Sequence, residues 1–305
     1  MKTWFLTCGV LLGAVSLNAQ FKSGVDLVAL NVVVTDNSQK FVTGLGATNF
    51  AVFEDGVRQD ISFFAASAVP LDLALLLDTS ASMTDKMQTM QSAAIGFAST
   101  LRPQDRVAVV DLKDTVRTAY PLGGDFEAAL TAIRATTPGG GTALHNALYI
   151  TLKNLVSQRK GTEDVRRQAI AVLSDGDDTT SLVTFDEVLE LAKRSGVTVY
   201  TITLTSGAPL PLSGAGGSRY FSQTQFAMKS IAQETGGRSF FPRQVGELQG
   251  IYATIADELA NQYAIGYTSK NPKRDGIYRR VIVRIAEHPD ARTRARSGYF
   301  AASLR

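Results

Sequence analysis

The sequence predicts an α/β fold: a doubly wound, mainly parallel sheet inserted into a small, discontinuous and sandwich-like β-domain. Between residues 70 and 262, apolar runs of strand length alternate with helical stretches, which is typical of βαβ units. Strand-like segments occupy both ends of the chain, over residues 24–66 and 263–302. Because pairing these ends leaves no long unpaired edge, we expect them to form one β-domain around an α/β domain at 70–262.

The two ends carry the strands that this β-domain needs. Residues 25–34 are apolar and β-branched, and they run into turn residues at 35–38. Asp55-Gly56 separates two further apolar stretches, 50–53 and 57–63, and this dipeptide predicts a tight hairpin. The remaining strands are predicted at 278–285 and 293–300.

The central segment supplies the strands and helices of the α/β domain. Four runs predict the strands, at 71–77, 106–112, 168–173 and 197–204, and those at 71–77 and 168–173 are expected to be buried. Six stretches predict the helices around them, at 84–101, 126–135, 143–155, 185–192, 226–234 and 245–260. Residues 206–218 are rich in Gly, Ser and Pro, which predicts a surface loop.

Composition indicates a folded protein and gives no sign of nucleic-acid binding. Hydrophobic residues make up 45% of the 305 residues, enough for a substantial core. The net charge is only +3, whereas a nucleic-acid-binding domain usually carries a clustered basic face. We therefore expect no nucleic-acid partner.

The start of the chain has the layout of a secretory signal peptide at 1–19. Lys2 gives a positive start, an apolar run follows, and Ala19 stands at the expected cleavage point. Cleavage would remove Cys8, the only cysteine, and leave a mature chain without a transmembrane segment. The sequence thus predicts an exported protein that is periplasmic, at the cell surface, or secreted.

Three polar segments lie where strands end or helices begin. Asp78-Thr79-Ser80-Ala81-Ser82 follows the strand predicted at 71–77, and Ser174-Asp175 follows the strand predicted at 168–173. Gly139-Gly140-Gly141-Thr142 opens a helix. In an open parallel sheet, ligands bind beyond the carboxyl ends of the strands. We therefore expect five oxygen-bearing side chains to lie together there: Asp78, Ser80, Ser82, Thr142 and Asp175.

Two carboxylates and three hydroxyls, without a thiol or an imidazole, form a hard donor set. Such donors suit Mg²⁺, Mn²⁺ or Ca²⁺ better than Zn²⁺ or Cu²⁺. Because hydroxyls are weak donors, an ion held in this way would readily accept a carboxylate from outside. The sequence predicts a divalent-cation site, with Mg²⁺ favoured, that can grip an Asp or Glu side chain of a partner protein.

The motifs DTSAS, GGT and SDG, in this order, resemble the metal-ion-dependent adhesion site of von Willebrand factor A (VWA) domains. The resemblance covers about residues 70 to 262 and implies a Rossmann-like VWA fold. Residues 49–56 and 294–299 also resemble recurring segments of a bacterial VWFA-related family that is common in acidobacteria.

The resemblance implies a role for each residue of the site. Ser80 and Ser82 would coordinate the ion directly, and Thr142 directly or through water. Asp78 and Asp175 would act mainly through water or through hydrogen bonds to those hydroxyls. The last helix shifts in related domains when ligand binds, and residues 245–260 are the matching element here.

Each motif alone has a simpler explanation. A serine or threonine at these positions could cap a helix, and Asp175-Gly176 could form a plain turn; the combination favours the metal site. Asp177, Asp178 and His145 are possible rim residues, although solvated loop charges and a helix-surface histidine are the simpler interpretations.

The arginines near the end of the chain are a further candidate surface. Arg292, Arg294 and Arg296 alternate with smaller residues along a predicted strand. We expect them to line a solvated sheet face rather than a patch for an acidic partner.

Three functions fit this site: a metal-dependent protein-binding module outside the cytoplasm, a Mg²⁺-dependent hydrolase or phosphotransferase, and a structural accessory of an envelope complex. The sequence has no Gly-x-Ser-x-Gly elbow and no Gly-Lys pair of a phosphate loop. Its two histidines, His145 and His288, stand in no triad-like context. A cation site without an evident base favours binding over catalysis, so we expect no enzyme.

Overall fold

The computed structural model describes residues 27–66, 69–159, 165–175, 178–204, 223–286 and 290–303. The predicted signal peptide at 1–19 and the predicted loop at 206–218 lie outside these residues. No helix in the described part of the chain is long and apolar enough to cross a membrane.

Strands and helices follow one another along the described chain much as the sequence predicts. The strands are β1 (Leu27–Thr35), β2 (Phe50–Glu54), β3 (Val57–Gln59), β4 (Ile61–Ala66), β5 (Leu71–Asp78), β6 (Arg106–Leu112), β7 (Val116–Gly123), β8 (Arg167–Ser174), β9 (Thr198–Thr203), β10 (Ser239–Phe240), β11 (Tyr263–Thr268), β12 (Tyr278–Ile285), β13 (Arg292–Arg294) and β14 (Gly298–Phe300). The α-helices are α1 (Met87–Ala98), α2 (Phe126–Arg134), α3 (Leu144–Arg159), α4 (Phe185–Ser195), α5 (Gln223–Thr235) and α6 (Leu248–Ala260). Short 3-10 helices cover Ala47–Asn49, Ala81–Lys86 and Val245–Glu247.

The central sheet has the strand order β10-β9-β8-β5-β6-β7. Its neighbouring strands are parallel, except that β7 runs antiparallel to β6. Every residue of β5 and β8 is buried, because α1, α2 and α6 pack on one face of the sheet and α3, α4 and α5 on the other. The prediction of a doubly wound, mainly parallel sheet is confirmed.

The strands from the two ends of the chain pair with each other. They form two antiparallel sheets, with the orders β13-β1-β11-β4 and β14-β12-β2-β3. The two sheets share one apolar core, which includes Val32 of β1, Val52 of β2 and Ile265 of β11. The chain therefore leaves this β-structure after β4, builds the α/β part, and returns at β11.

The predicted hairpin at Asp55-Gly56 joins β2 and β3. Glu54 and Val57 are opposite each other across the turn. Asp55 and Gly56 have φ values of 47° and 86°, and two positive values are what a type I′ turn requires.

Several elements differ from the predictions. The single strand predicted at 57–63 forms two strands, β3 and β4, in different sheets, and β10 was not predicted. The helix predicted at 84–101 begins as the 3-10 helix Ala81–Lys86 and ends, as α1, at Ala98. The sequence did not predict β7, which contains Pro121 and has no buried residue; proline is tolerated there because β7 is an edge strand. The single strand predicted at 293–300 forms two strands, β13 and β14, in different sheets.

Helix α6 links the α/β part to the β-structure. Only Asn261 and Gln262 separate it from β11. Near its end, the Glu258 carboxylate lies 2.5 Å from the guanidinium of Arg294 in β13. Arg294 also donates to the carbonyl of Gly236 at 2.6 Å. The expectation of a solvated face was therefore wrong for Arg294, which binds the α/β part.

Arg167, the first residue of β8, joins the entry and the exit of the α/β part. Its Nε donates to the carbonyl of Val69 at 3.2 Å, and its Nη1 donates to the carbonyl of Leu259 at 2.6 Å. Burial lowers the pKa of Arg167 to about 10, so the guanidinium remains charged near neutral pH.

Candidate metal centre

Two carboxylates of the predicted site lie at the carboxyl edge of adjacent central strands. Asp78 is the last residue of β5, and Asp175 directly follows β8. The two strands are parallel neighbours, with Leu77 opposite Leu173. The chain therefore leaves both strands at the same level of the sheet, and the two loops begin side by side.

The Asp78 side chain is fully buried and hydrogen-bonded through both oxygens. Its Oδ1 accepts from the Ser80 amide at 2.9 Å, and its Oδ2 accepts from Ser174 Oγ at 2.6 Å. Burial raises the pKa of the Asp78 carboxyl, and the charge of Asp175 acts in the same direction, while the bonds from Ser174 and Ser80 oppose both. A cation beside Asp78 would favour its charged form.

A row of oxygen atoms runs from Ser80 to Asp175. Ser80 Oγ lies 2.9 Å from Ser82 Oγ, and Ser82 Oγ donates to Asp175 Oδ1 at 2.7 Å. Ser80 is buried and Ser82 is exposed. The row therefore starts beneath the surface and opens to solvent at Ser82.

Thr79, between the first two residues of this set, holds the loop in place. Its hydroxyl donates to the carboxylate of Asp111 in β6. Its amide donates to the carbonyl of Leu112 at 3.0 Å. Because Thr79 is fully buried, the loop is fixed to β6 at this point, and the hydroxyls of Ser80 and Ser82, which follow it, are left for the row.

The loop that carries Thr142 lies against the serine loop. Gly139 donates its amide to the Thr79 carbonyl at 2.9 Å, and Ala81 donates to the Gly140 carbonyl at 3.0 Å. Thr142 itself is 4% exposed. These two backbone hydrogen bonds bring the loop of the fifth predicted side chain to the same edge of the sheet as the row.

Gly140 has to be glycine for two reasons. Its φ is 74°, a value that L-residues with side chains rarely adopt. The space that a Cβ would need is filled by the carboxylate of Asp114, which accepts from the Gly141 amide. Sequence analysis did not single out Asp114, since it lies 27 residues before Gly141 and no local pattern connects the two.

The possible rim residues Asp178 and His145 contact each other at the start of α3. Asp178 Oδ2 accepts from the His145 amide at 2.7 Å and lies 3.4 Å from His145 Nδ1. Asp178 Oδ1 accepts from the Ser181 amide at 2.9 Å. Asp178 thus caps the first turn of α3 and orders the loop after it. Asp177, the third possible rim residue, lies outside the described residues.

Lys86 is a site residue that sequence analysis missed. Its ammonium forms an ion pair with Asp175 Oδ2, while Asp175 Oδ1 accepts from Ser82. Lys86 ends the 3-10 helix that contains Ser82. No local pattern singles it out, since Asp175 lies 89 residues further along the chain.

The donor set fits a hard divalent cation. Within the described ranges, no group of three or more His, Cys, Asp or Glu side chains could hold a metal ion. The side chains of Asp78, Ser80, Ser82 and Asp175 offer only oxygen donors, from two carboxylates and two hydroxyls, which suits Mg²⁺, Mn²⁺ or Ca²⁺.

Domains with an open, parallel α/β sheet bind ligands at the carboxyl edge of the sheet, and the hydroxyl-rich site of this chain lies at that edge. The sequence profile of the von Willebrand factor type A domain matches residues 72–254. The chain belongs to the von Willebrand factor type A domain family.

Two curated bacterial proteins are similar to this chain. A UPF0353 protein of Mycolicibacterium paratuberculosis is 28% identical over 69% of this chain and 67% of its own length. An uncharacterized protein of Borreliella burgdorferi is 26% identical over 65% of this chain and 58% of its own length.

Solved structures show the same fold at low identity. A von Willebrand factor type A protein from Catenulispora acidiphila is 13% identical, with a TM-score of 0.50, and the match covers 93% of this chain and 76% of that one. Proximal thread matrix protein 1 from the mussel byssus, with a zinc-occupied MIDAS (metal-ion-dependent adhesion site) motif, is 21% identical with a TM-score of 0.51. That match covers 64% of this chain and 49% of the mussel protein.

Proposed function

We propose that this chain is a non-enzymatic, metal-dependent protein-binding module that acts outside the cytoplasm. The row of oxygen atoms from Ser80 through Ser82 to Asp175, beside the buried Asp78, is the observation that supports this proposal most directly. Ser82, the exposed member of the row, would give a partner access to a bound ion.

Each predicted ligand has a role in the proposal. Ser80 and Ser82 coordinate the cation directly, and Thr142 does so directly or through water. Asp78 and Asp175 act mainly through water or by accepting hydrogen bonds, and the bond from Ser82 to Asp175 already has this form. When bound, the cation supplies a Lewis-acidic position with room for one more oxygen ligand. Mg²⁺ is the ion that we favour.

The proposed partner is a protein that offers an Asp or Glu carboxylate. Hydroxyl ligands leave much of the charge of a divalent ion uncompensated, so an incoming carboxylate is a strong ligand. The zinc-occupied motif of the mussel protein supports cation binding in a domain of this fold, and the choice of ion is left to titration.

The contacts of His145 support a binding role over catalysis. His145, the one histidine within the described residues, is engaged with Asp178 rather than with the row. A Mg²⁺-dependent hydrolase would need a group that is positioned to move a proton at the reacting atom. A hydrolase and a structural accessory of an envelope complex remain the alternatives that the experiment below distinguishes.

We also propose that residues 1–19 direct export and that the mature chain consists of a β-domain, 24–66 plus 263–302, and a VWA domain, 70–262. The pairing of β1 with β11 and of β2 with β12 supports this division. Amino-terminal sequencing of the protein from its native host should give a start at or near Gln20, and a retained Met1 would contradict cleavage.

Calorimetric titration with Mg²⁺, Mn²⁺, Ca²⁺ and Zn²⁺ tests the metal site. We expect one ion per chain in the wild type and at least about tenfold weaker binding in Asp78→Ala and Ser82→Ala, since each loses an oxygen donor. Ser157→Ala is the matched control because Ser157 is exposed on α3 and its hydroxyl donates only locally, to the Asn154 carbonyl at 2.8 Å.

Capture of proteins from an envelope extract, with Mg²⁺ or with EDTA, tests the function. A partner should be retained by the wild type and by Ser157→Ala in Mg²⁺, and lost in EDTA and with Ser82→Ala. A partner retained under all conditions would overturn metal-dependent binding. Turnover of a phosphate or ester substrate that disappears in Ser82→Ala would establish the hydrolase instead.

A further inference from the structure

We propose that Lys86 is a built-in competitor of the divalent cation. Its ammonium pairs with Asp175 Oδ2, the oxygen that would otherwise accept from an ion-bound water, so Lys86 would have to leave that carboxylate when the cation binds. This inference rests on the proposed metal site and assigns a residue that sets its affinity.

Asp175 is a buried carboxylate with a different partner on each oxygen. Its side chain is 1% exposed, and its two oxygens have different partners: Oδ1 accepts from Ser82 Oγ at 2.7 Å, and Oδ2 pairs with the Lys86 ammonium. A carboxylate taken out of water needs a positive or hydrogen-bonding partner on both oxygens. Lys86 provides that partner while no ion is present.

The side chain of Lys86 is more exposed than the carboxylate with which it pairs. Its side chain is 27% exposed, against 1% for Asp175, so the ammonium has a route to solvent that the carboxylate lacks. A lysine stem has freely rotating bonds and a strongly hydrated head group. Lys86 can therefore turn into water without any change in the backbone.

The backbone at Lys86 keeps the ammonium near the site after it has moved. Lys86 ends the 3-10 helix Ala81–Lys86, whose Met83 is fully buried, and Met87 of α1 follows with 7% exposure. These two methionines fix the helix in the core on both sides of the lysine. A tethered group has a high effective concentration at its target, so the ammonium competes at any dilution of the protein.

Charge decides the direction of the effect. Asp78 and Asp175 bring two negative charges to the edge of the sheet, and Lys86 reduces the sum to one. Even at the dielectric constant of water, about 80, one unit charge at roughly 5 Å changes the affinity for a dication by more than about tenfold. Lys86 therefore weakens cation binding, and a partner carboxylate that adds a ligand would restore it.

Titration of Lys86→Met with Mg²⁺ tests this inference, because methionine keeps the length of the stem and removes the charge. We expect the dissociation constant of Lys86→Met to be at least about tenfold lower than that of the wild type. Lys86→Arg keeps the charge and should stay within about threefold of the wild type. The control is Lys113→Met, since Lys113 has similar exposure, 25%, and lies 4.0 Å from Asp111 rather than beside Asp175.

Thermal unfolding without metal gives a second readout. Lys86→Met should unfold at a lower temperature than the wild type, because Asp175 loses a partner, and added Mg²⁺ should raise its midpoint by more than it raises that of the wild type. Lys113→Met should show neither change.

The outcomes separate this inference from the metal site itself. Equal Mg²⁺ affinities of wild type and Lys86→Met, with binding lost in Ser82→Ala, would overturn the role of Lys86 and leave the metal site standing. Tighter binding in Lys113→Met by the same factor would also overturn it, since the effect would then come from net charge alone. No binding by wild type and Lys86→Met alike would overturn both proposals.

Discussion

Two buried carboxylates of the α/β part have a basic partner of similar exposure, yet they differ in how firmly they are held. The side chain of Asp175 is 1% exposed and that of Lys86 is 27% exposed; for Glu258 and Arg294 the values are 2% and 32%. Burial alone therefore does not distinguish the two pairs. The nature of the basic partner and its other contacts do: Arg294 also donates to the carbonyl of Gly236.

Glu258 is held from two sides by groups that are themselves fixed. Its Oε1 accepts from Tyr200 Oη at 2.7 Å, and its Oε2 pairs with Arg294. Burial and the neighbouring charge of Glu258 raise the pKa of Tyr200, so its hydroxyl stays a donor. A planar guanidinium can bind two acceptors at once, whereas an ammonium acts as a point charge. We therefore expect the Glu258–Arg294 ion pair to stay formed when a cation binds, and the Asp175–Lys86 ion pair to open.

Removing the Glu258–Arg294 ion pair should have the largest effect on the free energy of unfolding. Glu258→Ala leaves Arg294 and Tyr200 without their shared partner in a buried position, and we expect a loss of about 3–5 kcal/mol in the free energy of unfolding. Urea unfolding followed by circular dichroism measures it. Glu190→Ala is the control, because Glu190 pairs with Arg194 on the surface and such pairs contribute under about 1 kcal/mol. Equal losses in both variants would remove the distinction drawn above.

Replacing the basic residue of each ion pair by methionine should show that only the Asp175–Lys86 pair responds to metal. We expect Arg294→Met to cost about 2–4 kcal/mol of unfolding free energy with or without Mg²⁺, since a buried charge loses its partner. Lys86→Met should cost about 1–2 kcal/mol without metal. Saturating Mg²⁺ should recover that loss for Lys86→Met alone, as read from urea midpoints. Recovery in Arg294→Met would contradict the comparison.

A third buried carboxylate, Glu54 of the β-structure, should give a smaller effect that depends on pH. Burial by itself would raise the pKa of Glu54, but hydrogen bonds from Ser269, Tyr299, Tyr267 and Arg279 lower it below the ordinary value of 4.5. A lowered folded-state pKa contributes stability that is present above the unfolded-state pKa and is lost as pH falls through the folded-state value.

The urea midpoint of the wild type should therefore fall more steeply between about pH 5 and about pH 3 than that of Glu54→Gln. Glu127→Gln, at an exposed position on α2, should follow the wild type. Parallel profiles for wild type and Glu54→Gln would show that the Glu54 hydrogen bonds do not favour its charged form.

The sequence was sufficient to predict the structure of those segments in which a local pattern decides it. The mostly apolar runs of β5 and β8 predict buried strands, because strands with apolar side chains on both faces need to be covered on both faces. Asp55-Gly56 predicts a tight turn because two residues with positive φ are needed there. The loops that bear Asp78 and Asp175 could be placed together because parallel strands end at one edge.

The sequence was insufficient where the partner is distant along the chain. Lys86 and Asp175 are 89 residues apart, and Glu258 and Arg294 come from different parts of the fold, so no periodicity connects either pair. Alternation correctly indicates that Arg292 and Arg294 lie on a strand. It does not indicate what covers that strand, which is why Arg294 was expected in solvent. β10 has only two residues, too few for any pattern.

The bonds that Arg167 makes to Val69 and Leu259 have a mechanical consequence. The α/β part is attached to the β-structure by two chain segments that Arg167 holds side by side, so together they form a single pivot. Rotation of one part against the other is opposed by the Glu258–Arg294 pair and by further contacts, among them the hydrogen bond from the Ser297 amide to the Glu234 carbonyl at 3.3 Å. With only Asn261 and Gln262 between α6 and β11, about 7 Å of chain at full extension, a displacement of α6 along its axis has no slack to take it up and pulls directly on β11.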